Sequence, residues 1–152
     1  MDKEIWTNII NEGAYSNELD WIAVDICGQV GVFTAIMNAP IPAEIGKSYD
    51  LYAQLMSIIS GLNERCSAIR ITPNNGDLSD WDMYARKGLY AFDYQDVHRE
   101  QKDKRNQYDL ISKPSAPLHI EELDLNNLLI SIIPKINCDF RDGDVLNEKI
   151  NL

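Results

Sequence analysis

The chain has 152 residues, 45% hydrophobic and 25% charged, which suits one packed domain (1–152) and argues against disorder. Its formal net charge of −10 at pH 7 argues against a nucleic-acid ligand, because phosphate binding needs a basic surface. No run reaches the ~18 uninterrupted apolar residues of a membrane-spanning helix, and the segment Met1–Trp6 has no basic region leading into an apolar one, so neither a membrane anchor nor a secretory signal is expected.

In chain order, Asp2 is placed to cap a first helix whose apolar face is Ile5, Trp6, Ile9 and Ile10, with Gly13 as its stop. Residues 20–36 read as a β-hairpin, two apolar β-branched runs about a turn that carries Gly28 and Gly31, with Asp20 and Asp25 as polar breaks. Pro40 and Pro42 make residues 38–46 irregular. Ser48 then caps a second helix with the clearest periodicity in the chain: Leu51, Leu55, Ile58, Ile59 and Leu62, widened by Tyr52.

Residues 66–72 alternate as a strand, and residues 73–76 form a turn. A third helix is expected to start at Ser79 as N-cap, with Asp82 at the reciprocal capping position and a Leu78–Met83 staple. It should stop at Gly88 after Arg86 and Lys87. Residues 89–94 form a strand with Tyr90, Phe92 and Tyr94 on one side. The charged run 98–107 connects it to an antiparallel partner at 108–113. Asp124 is expected to cap a last helix buried through Leu125, Leu128, Leu129, Ile132 and Ile133. Ile136, Cys138 and Phe140 are expected to alternate as a final strand before a turn at 141–144. This order predicts an α+β fold, a single layer of mostly antiparallel sheet with helices packed on it.

The charge is unevenly spread. Residues 1–64 carry nine acids and two bases, residues 65–113 eight acids and nine bases, and residues 114–152 seven acids and three bases. A basic protein is the natural complement, although charge of this size also keeps a protein soluble. Cys27, Cys66 and Cys138 are odd in number and form no CxxC pair, and two of them sit inside apolar runs, which points to buried free thiols in a reducing compartment and hence to the cytoplasm.

Catalytic signatures are weak. Asp93, Asp96 and His98 could offer metal ligands, but their spacing matches no zinc or calcium pattern. Cys66 beside Arg65 has no accompanying base motif, His119 reads as a partly exposed or hydrogen-bonded strand residue, and no Gly-x-Ser-x-Gly elbow occurs. The segment 28–31 lacks the remainder of a phosphate loop. No catalytic, cofactor or metal residue is therefore assigned. The unusual local mixture is Asp77, Asp80, Trp81, Asp82 and Tyr84. It reads either as a hot spot for a basic surface or as helix-start acids with aromatics turned inward.

The stretch from Asp20 through Phe33 with Pro40-Ile-Pro42, and the later segments 85–94 and 108–117, resembles small bacterial immunity proteins of polymorphic toxin and contact-dependent growth inhibition systems. The resemblance implies a cytoplasmic protein that binds and neutralises one cognate toxin, often a basic nuclease. The family shares no binding motif to carry over. The candidate contacts are the charged and aromatic residues Asp77, Asp80, Trp81, Asp82 and Tyr84, with Glu18 and Asp20 from the acidic amino-terminal part. The alternatives are a small hydrolase using Cys66 or the Asp93, Asp96 and His98 group, and a regulatory subunit with a non-toxin partner.

Overall fold

A computed structural model describes residues 1–71, 78–94 and 106–150. Helix α1 (Lys3–Glu12) starts as expected, with the Asp2 carboxylate accepting from the Glu4 and Ile5 amides at 2.8 and 3.2 Å. Trp6 and Ile9 turn inward, and Gly13 ends the helix at φ +107°. Strands β1 (Leu19–Val24) and β2 (Val30–Ala35) form the hairpin, paired antiparallel from Leu19↔Ala35 to Val24↔Val30. Only Gly28 serves the turn, at φ +80°. Gly31 lies inside β2, where a Cβ would come within 2.8 Å of the Phe140 ring, so its role is close packing and not turn geometry.

Helix α2 (Tyr49–Ser60) has the expected cap, Ser48 Oγ accepting from the Leu51 amide at 3.3 Å. Leu55 and Ile59 are buried, with Leu51, Ile58 and Leu62 packed beside them. Strand β3 (Ala68–Arg70) is shorter than the expected 66–72, and Ile69 and Ile71 stay about 40% exposed on this sheet edge. Helix α3 (Ser79–Arg86) is capped by Leu78 without a side-chain hydrogen bond, so Ser79 is its first helical residue and not its cap. Its stop is as expected, with Gly88 at φ +98°.

Strands β4 (Tyr90–Tyr94) and β5 (Gln107–Pro114) pair antiparallel, as expected. The run between them lies mostly outside the described residues. Among the described residues the sheet order is β1-β2-β4-β5-β3, and a last strand, β6 (Val145–Leu146), pairs with the start of β5. The fold is α+β with a largely antiparallel sheet. One pairing departs from that, because β2 and β4 run parallel from Gly31↔Tyr90 to Thr34↔Asp93. No helix among the described residues is long and apolar enough to cross a membrane.

Alternation along the strands sends side chains to two cores. On one face Trp21, Phe33, Phe92, Tyr94 and Tyr108 pack with Trp6 and Ile9 of α1 and with Phe140, Val145 and Ile150. On the other, Ile22, Val32, Leu89 and Ala91 pack with Leu55 and Ile59 of α2 and with Leu118, Leu129 and Ile132.

The carboxy-terminal third departs most from expectation. Asp124 does not cap a helix. It ends a 3-10 turn (Ile120–Leu123) in the left-handed region at φ 46°, whereas an N-cap requires extended backbone. Asn126 is the actual cap, accepting from the Leu129 amide at 2.9 Å, and the helix it starts, α4 (Asn127–Ile130), is a single turn. Leu128, expected inside, is 66% exposed. Ile136, Cys138 and Phe140 form no strand. The segment instead crosses the end of β1, with Val24 N–H donating to Pro134 O and Ile136 N–H donating to Val24 O, and Phe140 then opens a 3-10 turn (Phe140–Asp142). The last helix is the short α5 (Asn147–Ile150).

Replacing Phe33 with Ala should lower the free energy of unfolding by about 3–5 kcal/mol, whereas Tyr15→Ala at a surface site should cost no more than about 0.5 kcal/mol. Urea unfolding followed by tryptophan fluorescence measures both.

Candidate functional site

Asp20 sits on β1 directly across from Thr34, on the face covered by α2 and α3. Its carboxyl is enclosed: one oxygen accepts from Thr34 Oγ1 at 2.7 Å and the other from the Tyr84 hydroxyl at 2.8 Å. The Tyr52 hydroxyl of α2 donates to the Asp20 carbonyl at 2.7 Å. Burial raises the Asp20 pKa despite those two hydrogen bonds, and the charge of Asp80 adds to the rise. Burial likewise pushes the Tyr52 and Tyr84 phenols above their ordinary range.

Beside Asp20 opens a cleft of about 500 Å³, lined by Met1, Glu18, Asp20, Tyr49, Tyr52, Ala53, Met56 and Ser57. Of the residues singled out from the sequence, the structure therefore brings Glu18, Asp20 and Tyr84 together. Glu18 lines the cleft and Tyr84 donates to the Asp20 carboxyl, while Asp80 lies exposed in the first turn of α3.

Two other candidates face elsewhere. Asp82 bridges elements: one oxygen accepts from Arg70 Nε at 2.9 Å, and the other from the hydroxyl of fully buried Ser112 at 3.0 Å. It ties α3 to β3 and β5. Trp81 is half-buried and packs against the core of the α2 face, which favours the inward reading for this ring. Asp77 lies outside the described residues.

The groups considered for catalysis are bound up locally. The Cys66 thiol donates to the Ala85 carbonyl at 3.3 Å. The three thiols are free but not buried as expected: Cys27 is exposed at the hairpin turn, and Cys66 and Cys138 are half-buried. His119 Nδ1 accepts from the Glu121 amide at 3.2 Å and caps the 3-10 turn (Ile120–Leu123), so it is hydrogen-bonded as expected but not within a strand. Asp93 is buried in β4, while Asp96 and His98 lie outside the described residues.

One cluster was not anticipated from the sequence. Asp25, Cys27 and Asp139 place one possible ligand atom each within 4.8 Å of one another. Asp25 is fully buried, and its oxygens already accept four N–H groups: the amides of Cys27 (3.0 Å), Gln29 (2.8 Å) and Phe140 (2.9 Å), and Gln29 Nε2 (2.7 Å). Asp139 is gripped by Arg141, whose Nη2 lies at 2.6 Å and whose hydrogen bonds hold the Asp139 carboxyl well below the usual carboxylate range. A metal ion would have to displace a guanidinium and several N–H donors, so this arrangement suits a structural clasp. The signal available in the sequence was Asp25 three residues before Gly28, the pattern of a side-chain-closed turn.

Comparison with protein-family models, curated proteins and solved structures found no match to the chain.

Burial raises the Asp20 pKa from 3.8, so the folded chain holds this proton more tightly than the unfolded chain does. Its contribution favours folding fully below the unfolded pKa and is lost as pH rises through the folded one. The stability of the wild type relative to Asp20→Asn should therefore fall as pH rises above the ordinary carboxyl value of 3.8, read as the difference in urea midpoints. Asp82→Ala should cost about 1–3 kcal/mol because it strands the buried Ser112 hydroxyl, whereas exposed Asp80→Asn should cost about 0.5 kcal/mol or less. Urea midpoints at neutral pH test that contrast.

Proposed function

We propose that this chain is an immunity protein that binds a cognate bacterial toxin of basic, nuclease type in the cytoplasm and neutralises it by stoichiometric occlusion. The observation that carries the reading is a tyrosine- and methionine-lined cleft walled by Glu18 and Asp20, with Asp80 exposed on α3, on a chain of net charge −10. Glu18, which lines the cleft with Tyr49, Tyr52 and Met56, presents an arginine or lysine with a charge, and those side chains give its stem an apolar wall. A nuclease must present cations to phosphate, and carboxylates held in the same places satisfy those cations and block the substrate.

Charge of this kind acts first on encounter, so association should be fast and strongly salt-dependent. A regulatory subunit with another basic partner would use the same surface, and the partner's identity separates the two readings. The cleft and the α3 acids are also where substitution should change binding without unfolding the protein. Asp82 is the exception, because it belongs to the scaffold.

Tagged protein should recover one stoichiometric basic protein from lysate of its own organism at low salt and release it at high salt. Expression of that protein alone should arrest growth, and co-expression should restore it. Glu18→Lys with Asp80→Lys should weaken the complex by about tenfold or more while the urea midpoint is kept. Failure to recover a partner at low salt, or growth arrest that co-expression does not relieve, overturns the proposal.

A further inference from the structure

At the opposite end of β1 the same side of the sheet carries a second and differently built surface. Val24, Ile120, Leu125, Ile130 and Ile133 line a groove of about 360 Å³, together with Glu121 and Asp124. Its shape follows from the local sequence. Asp124 turns left-handed and ends the 3-10 turn, Asn126 restarts the chain as α4, and that single turn is too short to carry Ile130 inside. Ile130 is 49% exposed, and Leu128 on the same turn is 66% exposed. One exposed leucine is ordinary, but five aliphatic residues lining one groove mark a contact surface.

Charge selects the occupant. The ionisable residues that line the groove, Glu121 and Asp124, are both acidic, and the Glu121 side chain is almost fully exposed. Two cations on neighbouring elements are otherwise placed: Lys47 donates to the Ser131 carbonyl at 3.4 Å, and Arg65 pairs with Glu122 at 3.0 Å. Lys135 is exposed where its segment bridges to Val24, and it does not line the groove. A second copy of the chain would bring another net charge of −10 against this rim, and an anionic membrane surface would be repelled in the same way.

We infer that this groove docks a short amphipathic segment of a partner protein, with aliphatic anchors in the apolar floor and lysine or arginine flanks against Glu121 and Asp124. The surface is independent of the acidic cleft and stands whether or not the partner is a toxin. Val24 lies four residues along β1 from Asp20, about 13 Å at the rise of a strand, so one protein could engage both.

The test uses the intact protein and two fluorescein-labelled peptides of one helical pattern, one of leucine and lysine and one of leucine and glutamate, read by anisotropy. The leucine–lysine peptide should bind and the leucine–glutamate peptide should not. Ile130→Glu should weaken binding at least tenfold, and Glu121→Gln with Asp124→Asn should weaken it several-fold and flatten its salt dependence. Asparagine is chosen at position 124 because it tolerates the left-handed backbone. Unchanged urea midpoints show that each variant is folded, and amide NMR shifts on titration should cluster at Val24, Ile120, Leu125, Ile130 and Ile133. Absence of binding, equal binding of the two peptides, indifference to both variants, or shifts clustering elsewhere overturns the inference. So does a dimer of the free protein that Ile130→Glu dissolves, because the occupant would then be a second copy.

Discussion

The structure depends on a row of aromatic rings laid across three strands. Trp21 on β1, Phe33 on β2 and Phe92 on β4 stack with centroids 4.4 Å apart and planes within about 13° of parallel. Tyr108 on β5 meets Trp21 and Phe33 edge-on, and Phe140 meets Phe33 and Phe92 the same way. Such pairs contribute roughly 0.5–1.5 kcal/mol each beyond the area they bury, and here they also set register. The polar ends are satisfied within the row: Trp21 Nε1 donates to the Tyr108 hydroxyl at 3.2 Å, which donates to the Pro40 carbonyl at 2.8 Å. That last bond fastens the proline-bearing loop to the core, so a segment with few amide donors of its own still has a defined place.

The Asp25 clasp explains how the carboxy-terminal third is held. A buried carboxylate is tolerable only when its lone pairs are occupied, and Asp25 meets that condition with N–H groups from its own turn and from Phe140. The Phe140 amide is thereby pinned to the hairpin tip, and its ring is delivered onto the aromatic row. The space this ring needs is the space left by Gly31, where any larger residue would meet it. Turn, glycine and distant phenylalanine are thus one arrangement. It leaves the acidic cleft at one end of β1 and the aliphatic groove at the other on a rigid scaffold.

The legible parts of the sequence were those decided by neighbours in the chain. Asp2 and Ser48 cap their helices, the stripe from Leu51 to Leu62 is buried or half-buried, Gly13 and Gly88 stop helices, and Tyr90, Phe92 and Tyr94 share a face. Each outcome follows from contacts within about four residues. What was not legible was decided at long range. The parallel pairing of β2 with β4, the short β6 and the path of residues 134–140 across β1 leave no local period. Asp124 was expected to cap the last helix, and the left-handed backbone it takes at the end of the 3-10 turn leaves that role to Asn126. In the candidate site, Asp80 and Glu18 could be read as exposed acids. That Asp82 serves Ser112, and that Tyr84 reaches Asp20, required the sheet that brings α3 over β1.

The parallel seam between β2 and β4 also governs how the chain reaches its fold. Residues 36–89 intervene between the two strands, so their pairing must close a long loop before any stacking energy is returned. The hairpin can assemble on the order of microseconds, whereas topologies dominated by distant pairings fold on the order of milliseconds to seconds. During that interval Trp21 and Phe33 form a bare aromatic ledge with no β4 beside it. A chain emerging from the ribosome carries this ledge until Phe92 and Phe140 have both been made. Its hazard is therefore kinetic, a window of stickiness that chaperone supply and translation rate would control.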